Sequence, residues 1–266
     1  MAKAFLFFGV MLSCLIACGN ENTGAGPDIF MDSAKYYNPA ISYGTLKDSR
    51  DGQVYRTVQI GVQTWMAENL NYDYNVGTAA SYCYNDSKDS CAKYGRLYTW
   101  PAAMDSAGIF SHGGKGCGYG ITCYASGKVQ GVCPAGWHLP DTTEWNALIM
   151  YGRVTAMNSI GYALKSTNGW MSYNGISGNG SDEFGFGALP AGHGSDKFNR
   201  YIGFNAFFWA STEEATFTYP LGGVSNPAAY SIILSADRTI VGYHDYSSPL
   251  ETESKVCGHS VRCIKD

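Results

Sequence analysis

Gly131-Val-Cys-Pro-Ala-Gly-Trp-His-Leu-Pro-Asp-Thr-Thr-Glu-Trp-Asn-Ala-Leu148 is a strand end, a turn and a helix start in one run. Pro140 halts the extended segment before it and presets the backbone for a turn. Asp141 is a good N-cap, and Glu144, three residues on, completes a capping box of the form D-x-x-E. Trp145, Leu148 and Ile149 follow at i, i+3 and i+4, which gives the helix one apolar face. Trp137 packs toward that face from before the turn, and Cys133 offers a covalent anchor.

Upstream, Asp51-Gly52 is a strong turn dipeptide. Val54-Tyr-Arg-Thr-Val-Gln-Ile60 alternates and is rich in β-branched residues, Gly61 breaks it, and Val62 to Met66 resumes as a second strand, so a hairpin is expected. Gly95 to Trp100 is a short strand. Thr99 is placed to cap a helix beginning near Pro101. Gly108 to Gly131 is glycine-rich and reads as loop. Downstream, a short helix is predicted over Ser159 to Lys165, with turns at Asn168-Gly-Trp170 and Asn174-Gly175. Short strands are predicted at Phe184–Ala188, Phe207–Ser211, Ala229–Leu234, Ile240–Tyr243 and Ser260–Ile264. Few helices, many short strands and long loops define an α+β domain.

The chain has 266 residues, a formal net charge of -4 and only 15% charged residues. It has no basic stripe, which argues against nucleic acid as a partner. Hydrophobic content of 45% excludes disorder for the bulk of the chain. Met1-Ala-Lys3 is a short positive region, and Ala4 to Ala17 is an apolar or small-residue run too short to span a bilayer. It ends in Leu15-Ile-Ala-Cys18, which resembles a bacterial lipobox; a plain secretory signal is the alternative. The expected organisation is a signal peptide over 1–17, a lipidated Cys18 and tether over 18–50, and a folded domain over 51–266. Acylation such as palmitate at Cys18 anchors the chain to a membrane. Gly19-Asn20 carries no acidic retention signal, so the outer membrane or cell surface is the expected address.

Cys14 leaves with the signal and Cys18 carries the lipid. Seven cysteines remain, and an exported chain with this many is expected to form disulfides. Cys83 with Cys91 and Cys117 with Cys123 are plausible local loops. Cys133 would tie the central turn to the C-terminal strand through Cys263 or Cys257. No C-x-x-C pair supports a zinc site, and no metal or other cofactor is expected.

Five stretches together resemble the Fibrobacter succinogenes major paralogous domain family, in that family's order. They are the run Asp51 to Leu70 with its Trp65-Met-Ala-Glu-Asn-Leu70 ending, Tyr94-Gly-Arg-Leu-Tyr-Thr-Trp100, Gly131 to Pro140, Asp182-Glu-Phe-Gly-Phe-Gly-Ala-Leu-Pro190, and Ser260-Val-Arg-Cys-Ile-Lys-Asp266. The likeness covers roughly residues 45 to 266. It implies an exported bacterial protein and carries no settled activity. His138-Leu-Pro-Asp-Thr-Thr-Glu-Trp145 is also similar to the R-L-P-T-E-A-E-W motif of the formylglycine-generating sulfatase-modifying family. Phe208-Trp-Ala-Ser-Thr-Glu213 and Val261-Arg-Cys263 fall where that family has its tryptophan-rich segment and its ending. That resemblance implies a C-type-lectin-like fold, with two main helices around a twisted, mostly antiparallel sheet and long ordered loops. Oxidases, lectins and receptor-binding proteins share this fold, so it does not fix function.

No catalytic set stands out. The related oxidases use a thiol pair, but Cys263 matches a structural position and Cys257 has no evident partner. Asp141 and Glu144 could serve acid–base work, yet capping accounts for both. His138 reads as a packed or hydrogen-bonded histidine rather than a base. His112, His193, His244 and His259 show no ligand spacing. Asn179-Gly-Ser-Asp-Glu183 is oxygen-rich and suits Ca²⁺, but a plain turn explains it as well. Aromatics in loops are the best sign of binding. Trp65, Trp100, Trp137 and Trp145 are expected in the core. Trp170, Tyr173, Phe198, Tyr201 and Phe204, with Phe207 and Tyr219 nearby, are the expected ligand-binding surface. The function expected is a surface-anchored, non-catalytic binding domain for a polysaccharide or a partner protein of the envelope. An enzyme of the oxidase type and a structural envelope protein are the alternatives.

Overall fold

The computed structural model describes residues 36–157, 159–194, 199–214, 227–241 and 250–266. The signal segment 1–17, Cys18, Phe198, Tyr219 and His244 lie outside the described residues. The chain begins with β1 (Gly44–Lys47), β2 (Val54–Ile60), β3 (Gln63–Met66), β4 (Asn75–Val76), β5 (Ala79–Tyr82), α1 (Lys88–Tyr94), β6 (Leu97–Thr99), α2 (Trp100–Ala103), β7 (Trp137–His138), α3 (Thr142–Thr155) and α4 (Ile160–Leu164). It continues with β8 (Ser172–Tyr173), β9 (Ile176–Ser177), β10 (Ala191–Gly194), β11 (Asn199–Ile202), β12 (Asn205–Glu213), β13 (Ala228–Ser235), β14 (Leu250–Ser254), β15 (Gly258–His259) and β16 (Ile264–Lys265). Short strands dominate and the helices are few, as the α+β expectation required.

One sheet runs β1-β2-β3-β16-β7 and a larger one β14-β13-β12-β10-β15-β6-β5-β4, with β11 on β10. Pairing is antiparallel except where β10 meets β12. Alternation builds the core on both sides of a strand. On β12, Ala206, Phe208 and Ala210 enter one cluster with Trp65, Trp145 and Phe186, while Trp209 enters the other with Trp100 and Met66. Each of three core indoles donates to a carbonyl: Trp100 to Ala210 (2.9 Å), Trp209 to Tyr98 (2.7 Å) and Trp145 to Trp209 (3.4 Å). Large apolar rings are thereby buried with their one polar atom satisfied.

The central turn forms as its sequence dictates. Asp141 caps α3 by accepting from Glu144 N–H (2.8 Å), and Glu144 accepts from Asp141 N–H (3.0 Å). Trp145, Leu148 and Ile149 are buried. Cys133 is bonded to Cys263, Cys83 to Cys91 and Cys117 to Cys123, which resolves the open pairing in favour of Cys263. Cys257 is a buried thiol.

Several expectations are corrected. The domain starts before Asp51: Tyr36 is buried and β1 pairs with β2, so the end of the expected tether belongs to the sheet. Phe184–Ala188 is not a strand. Gly185 and Gly187 take positive φ and Gly187 N–H donates to Asp182 Oδ1 (2.6 Å), so the chain wraps around that carboxylate. Ile240 and Val241 are bent rather than extended, because the neighbouring Thr239 carbonyl accepts from Tyr162 N–H at the start of α4 (3.1 Å). Ser260 makes only a bridge to Phe208, and the terminal strand begins at Ile264. The Thr99 hydroxyl does not cap α2; it bonds Ala80 of β5 (3.2 Å).

Candidate functional site

A cavity of about 380 Å³ opens where the N-terminal edge of the domain meets the end of α1. Tyr36 and Tyr37 form one wall, Gln53 and Tyr55 of the hairpin strand a second, and Lys93 and Tyr94 of α1 a third. Glu68, Asn69, Asn71 and Arg262 lie beneath them. Gly95 closes α1 against the floor. Its φ is +74°, and a Cβ there would sit 2.8 Å from both Asn69 Cβ and Leu70 O. Only glycine allows that approach.

The floor is tightly bonded. Arg262 is buried; its Nε donates to Asn69 Oδ1 (2.7 Å) and its amino groups to the carbonyls of Phe186 and Gly187 (3.1 Å for Gly187). Its guanidinium lies 4.4 Å from the centre of the Phe186 ring. Asn69 Nδ2 donates to Tyr94 O (2.8 Å). Glu68 is closed on three sides: Tyr37 Oη donates to it (2.5 Å), as do the Arg56 backbone N–H and the Arg56 guanidinium (3.4 Å). The walls differ. Tyr36 Oη is buried with no hydrogen-bond partner, and so is Asn71 Oδ1. Buried polar atoms are normally paired, so two orphans on one cavity need a reason.

A second hollow of about 250 Å³ lies between Tyr124, Asp141, Thr212 and Glu213. Its carboxylates are already engaged. Asp141 caps α3, and Glu213 accepts from Cys123 N–H (2.7 Å), Tyr124 N–H (3.0 Å) and Lys255 Nζ (2.5 Å).

The residues expected to bind ligand do not come together. Trp170 is only 5% exposed, and its indole N–H donates to Ser166 Oγ (3.1 Å) and Ala188 O (3.0 Å), so it is core. Phe204 packs on the core with Tyr173 at its edge (5.9 Å). Phe207 is buried against His193 (4.7 Å). Tyr201 is half-buried beside the same histidine (5.4 Å). Tyr173 alone of the described candidates is well exposed, at 47%. Long ordered loops bury their aromatics for the same reason strands do, because apolar area leaves water.

The other candidates are structural. His138 is clasped by Asp266 Oδ1 at Nδ1 and Glu144 Oε1 at Nε2, each 2.7 Å away. Burial opposes its charge, but the hydrogen bond and charge of Glu144, with the hydrogen bond to Asp266, outweigh burial and raise its pKa. In the Asn179–Glu183 loop, Asn179 Oδ1 accepts from Trp170 N–H (3.0 Å) and Asp182 holds Gly187 and Asn38 N–H groups. Burial pushes Asp182 up to about 7, against the pull of those donors. Among the described residues no group of three or more His, Cys, Asp or Glu is placed to hold a metal ion. Cys263 is in a disulfide, so it cannot pair with Cys257 as an oxidase dithiol. His193 and His259 stack with Phe207 and Trp209, and three of their four ring nitrogens are unpartnered. No cavity reaches that stack among those described.

The chain belongs to the Fibrobacter succinogenes major domain family, whose model matches residues 58–265. No curated protein and no solved structure matches it. Four of the five stretches that carry the family likeness meet at the larger cavity: the Asp51–Leu70 run, Tyr94-Gly95, Gly187 with Leu189, and Arg262.

Proposed function

We propose that this is an envelope lipoprotein, acylated at Cys18 and held at the outer membrane or cell surface, whose domain is a non-catalytic binding module of C-type-lectin-like fold. Its ligand is a polysaccharide, taken in the cavity between Tyr36 and Arg262. One observation carries the reading: tyrosine rings and unpaired hydrogen-bonding atoms line the same cavity. Sugars are bound by that combination, ring faces against C–H surfaces and polar atoms against hydroxyls.

A partner protein is the second reading. The outer face of α3 and the second residue beyond its end present Met150, Val154 and Met157, each more than half exposed, and Val62 is 97% exposed. Exposed apolar stripes of this kind mark contact surfaces. Retention of the full chain on insoluble xylan, cellulose and envelope protein fractions separates the two. Saturable retention on a polysaccharide, weakened by Tyr37→Ala and not by Met157→Glu, supports the cavity. Retention on envelope protein alone, lost with Met157→Glu, transfers the function to the stripe. No retention on any of them defeats both. Cys18→Ser should release the protein from the membrane fraction; an unchanged distribution would remove the lipid anchor.

A further inference from the structure

Lys93 sits on the last turn of α1, and its amine faces two rings of the cavity wall, 4.5 Å from the centre of Tyr94 and 5.4 Å from that of Tyr36. Among the described residues it has neither an ion pair nor a hydrogen bond. A half-buried ammonium without a counter-ion is costly, and rings compensate only in part. Burial holds its pKa below the ordinary lysine value, with no carboxylate raising it.

The anions near it do not serve. Glu68 is closed by Tyr37 and Arg56. Asp89, one turn earlier on α1, is exposed at the rim and makes no ion pair with Lys93. Beneath the wall, the buried Arg262 adds a second cation whose N–H groups go to carbonyls and an amide rather than to a carboxylate. The charges of Asp182 and Glu68 act on Arg262, so the cation left without an ion-pair partner on this cavity is Lys93, and the same cavity holds one idle hydroxyl donor, Tyr36 Oη, and one idle acceptor, Asn71 Oδ1.

We infer that the ligand is an acidic saccharide, whose uronate carboxylate is held by Lys93 Nζ and Tyr36 Oη while a ring hydroxyl donates to Asn71 Oδ1. This rests on the saccharide reading of the same cavity and narrows it to one chemical class. The ammonium and hydroxyl supply donors to the two carboxylate oxygens, and a charge-assisted bond is about twice as strong as a neutral one. Tyr37, Tyr55 and Tyr94 supply ring surface for the sugar.

The test titrates the full chain with tetragalacturonate and with its methyl ester, which keeps shape and removes charge. Glucuronoxylan and alginate oligomers extend the acidic set, and xylotetraose serves as the neutral control. The acidic form should bind at least about tenfold more tightly than the ester. Lys93→Met, which keeps the apolar stem, should remove that preference, so that acid and ester bind alike. Lys93→Arg should restore part of the preference, and Tyr36→Phe should lower it. Equal binding of acid and ester, or a preference untouched by Lys93→Met, overturns the acidic inference while the saccharide reading stands. Binding to none of the saccharides overturns both.

Discussion

The central turn and the cavity are made of similar parts. Each has aromatic rings, a nitrogen base and carboxylates. At the turn the polar atoms close on one another: Asp141 and Glu144 on the helix start, His138 on Glu144 and Asp266, and Cys133 on Cys263. At the cavity Tyr36 Oη, Asn71 Oδ1 and the Lys93 amine are left over. The difference separates groups that hold the fold from groups that the proposed binding would use. A closed group stabilises the protein and costs free energy when removed. A buried group with no partner costs stability, so its loss should leave the fold unchanged or steadier, and under the proposed binding should show as loss only when ligand is added.

That contrast is sharpened most by the Cys133–Cys263 bond, which spans 130 residues. Replacing both cysteines by serine should cost about 5 kcal/mol, by loss of the constraint on the unfolded chain. Guanidinium unfolding measures it, and a change below about 1 kcal/mol would mean the turn is not the fixed half.

The histidine stack sets a limit on the contrast. Three ring nitrogens of His193 and His259 are unpartnered, as the cavity atoms are, but neither of the two cavities described reaches them. Burial, with Arg200 adding, lowers the His193 pKa to about 4, and burial holds His259 well below its usual range. Because the folded pKa lies below the unfolded value of about 6.5, the unfolded chain takes up protons first as pH falls. Stability should be full above pH 6.5 and fall by on the order of 3 kcal/mol toward pH 4 on account of His193, with His259 acting in the same direction. His193→Phe should flatten that acid limb; an equally steep limb in the variant would acquit the histidine.

His138 has the opposite sign. Its folded pKa is raised, so its contribution is complete below about pH 6.5 and is lost as pH climbs through the folded value. His138→Ala should cost about 2 kcal/mol at pH 6 and less at pH 9. Equal losses at both values would show that the clasp is packing, not charge.

The smallest effects belong to the cavity. Lys93→Met and Tyr36→Phe should each leave unfolding free energy unchanged or raise it by up to about 1 kcal/mol, since neither removes a hydrogen bond and each removes an unpaired polar group. A loss of 2 kcal/mol from either would make the wall structural and erase the contrast.

What could be seen in the sequence follows the same division. The capping box spans three residues and the Cys83 and Cys117 loops span 8 and 6, so local spacing reveals them. The cavity joins Tyr36, Asn71, Lys93 and Arg262, which no spacing rule connects. Its motif residues were visible as a family likeness, but not as neighbours. Trp170 misled because an aromatic between two glycine turns looks exposed, while its indole N–H finds two buried acceptors. The run Phe184–Ala188 misled because its alternation comes from glycines that bend around Asp182.

The long disulfide also decides how the molecule answers to force. If the chain is anchored at Cys18 as proposed, tension reaches the described residues first at Tyr36, on the cavity wall itself, so pulling and the proposed ligand release would share one structural element. If the chain unravels, everything between Cys133 and Cys263 stays looped out of the load path. From Tyr36 on, only the residues before Cys133, less the two short loops, and those after Cys263 can be drawn out. That is roughly 300 Å at about 3.5 Å per residue, well under half of the full chain. Such a domain is a short leash, which gives a little under load and then stops.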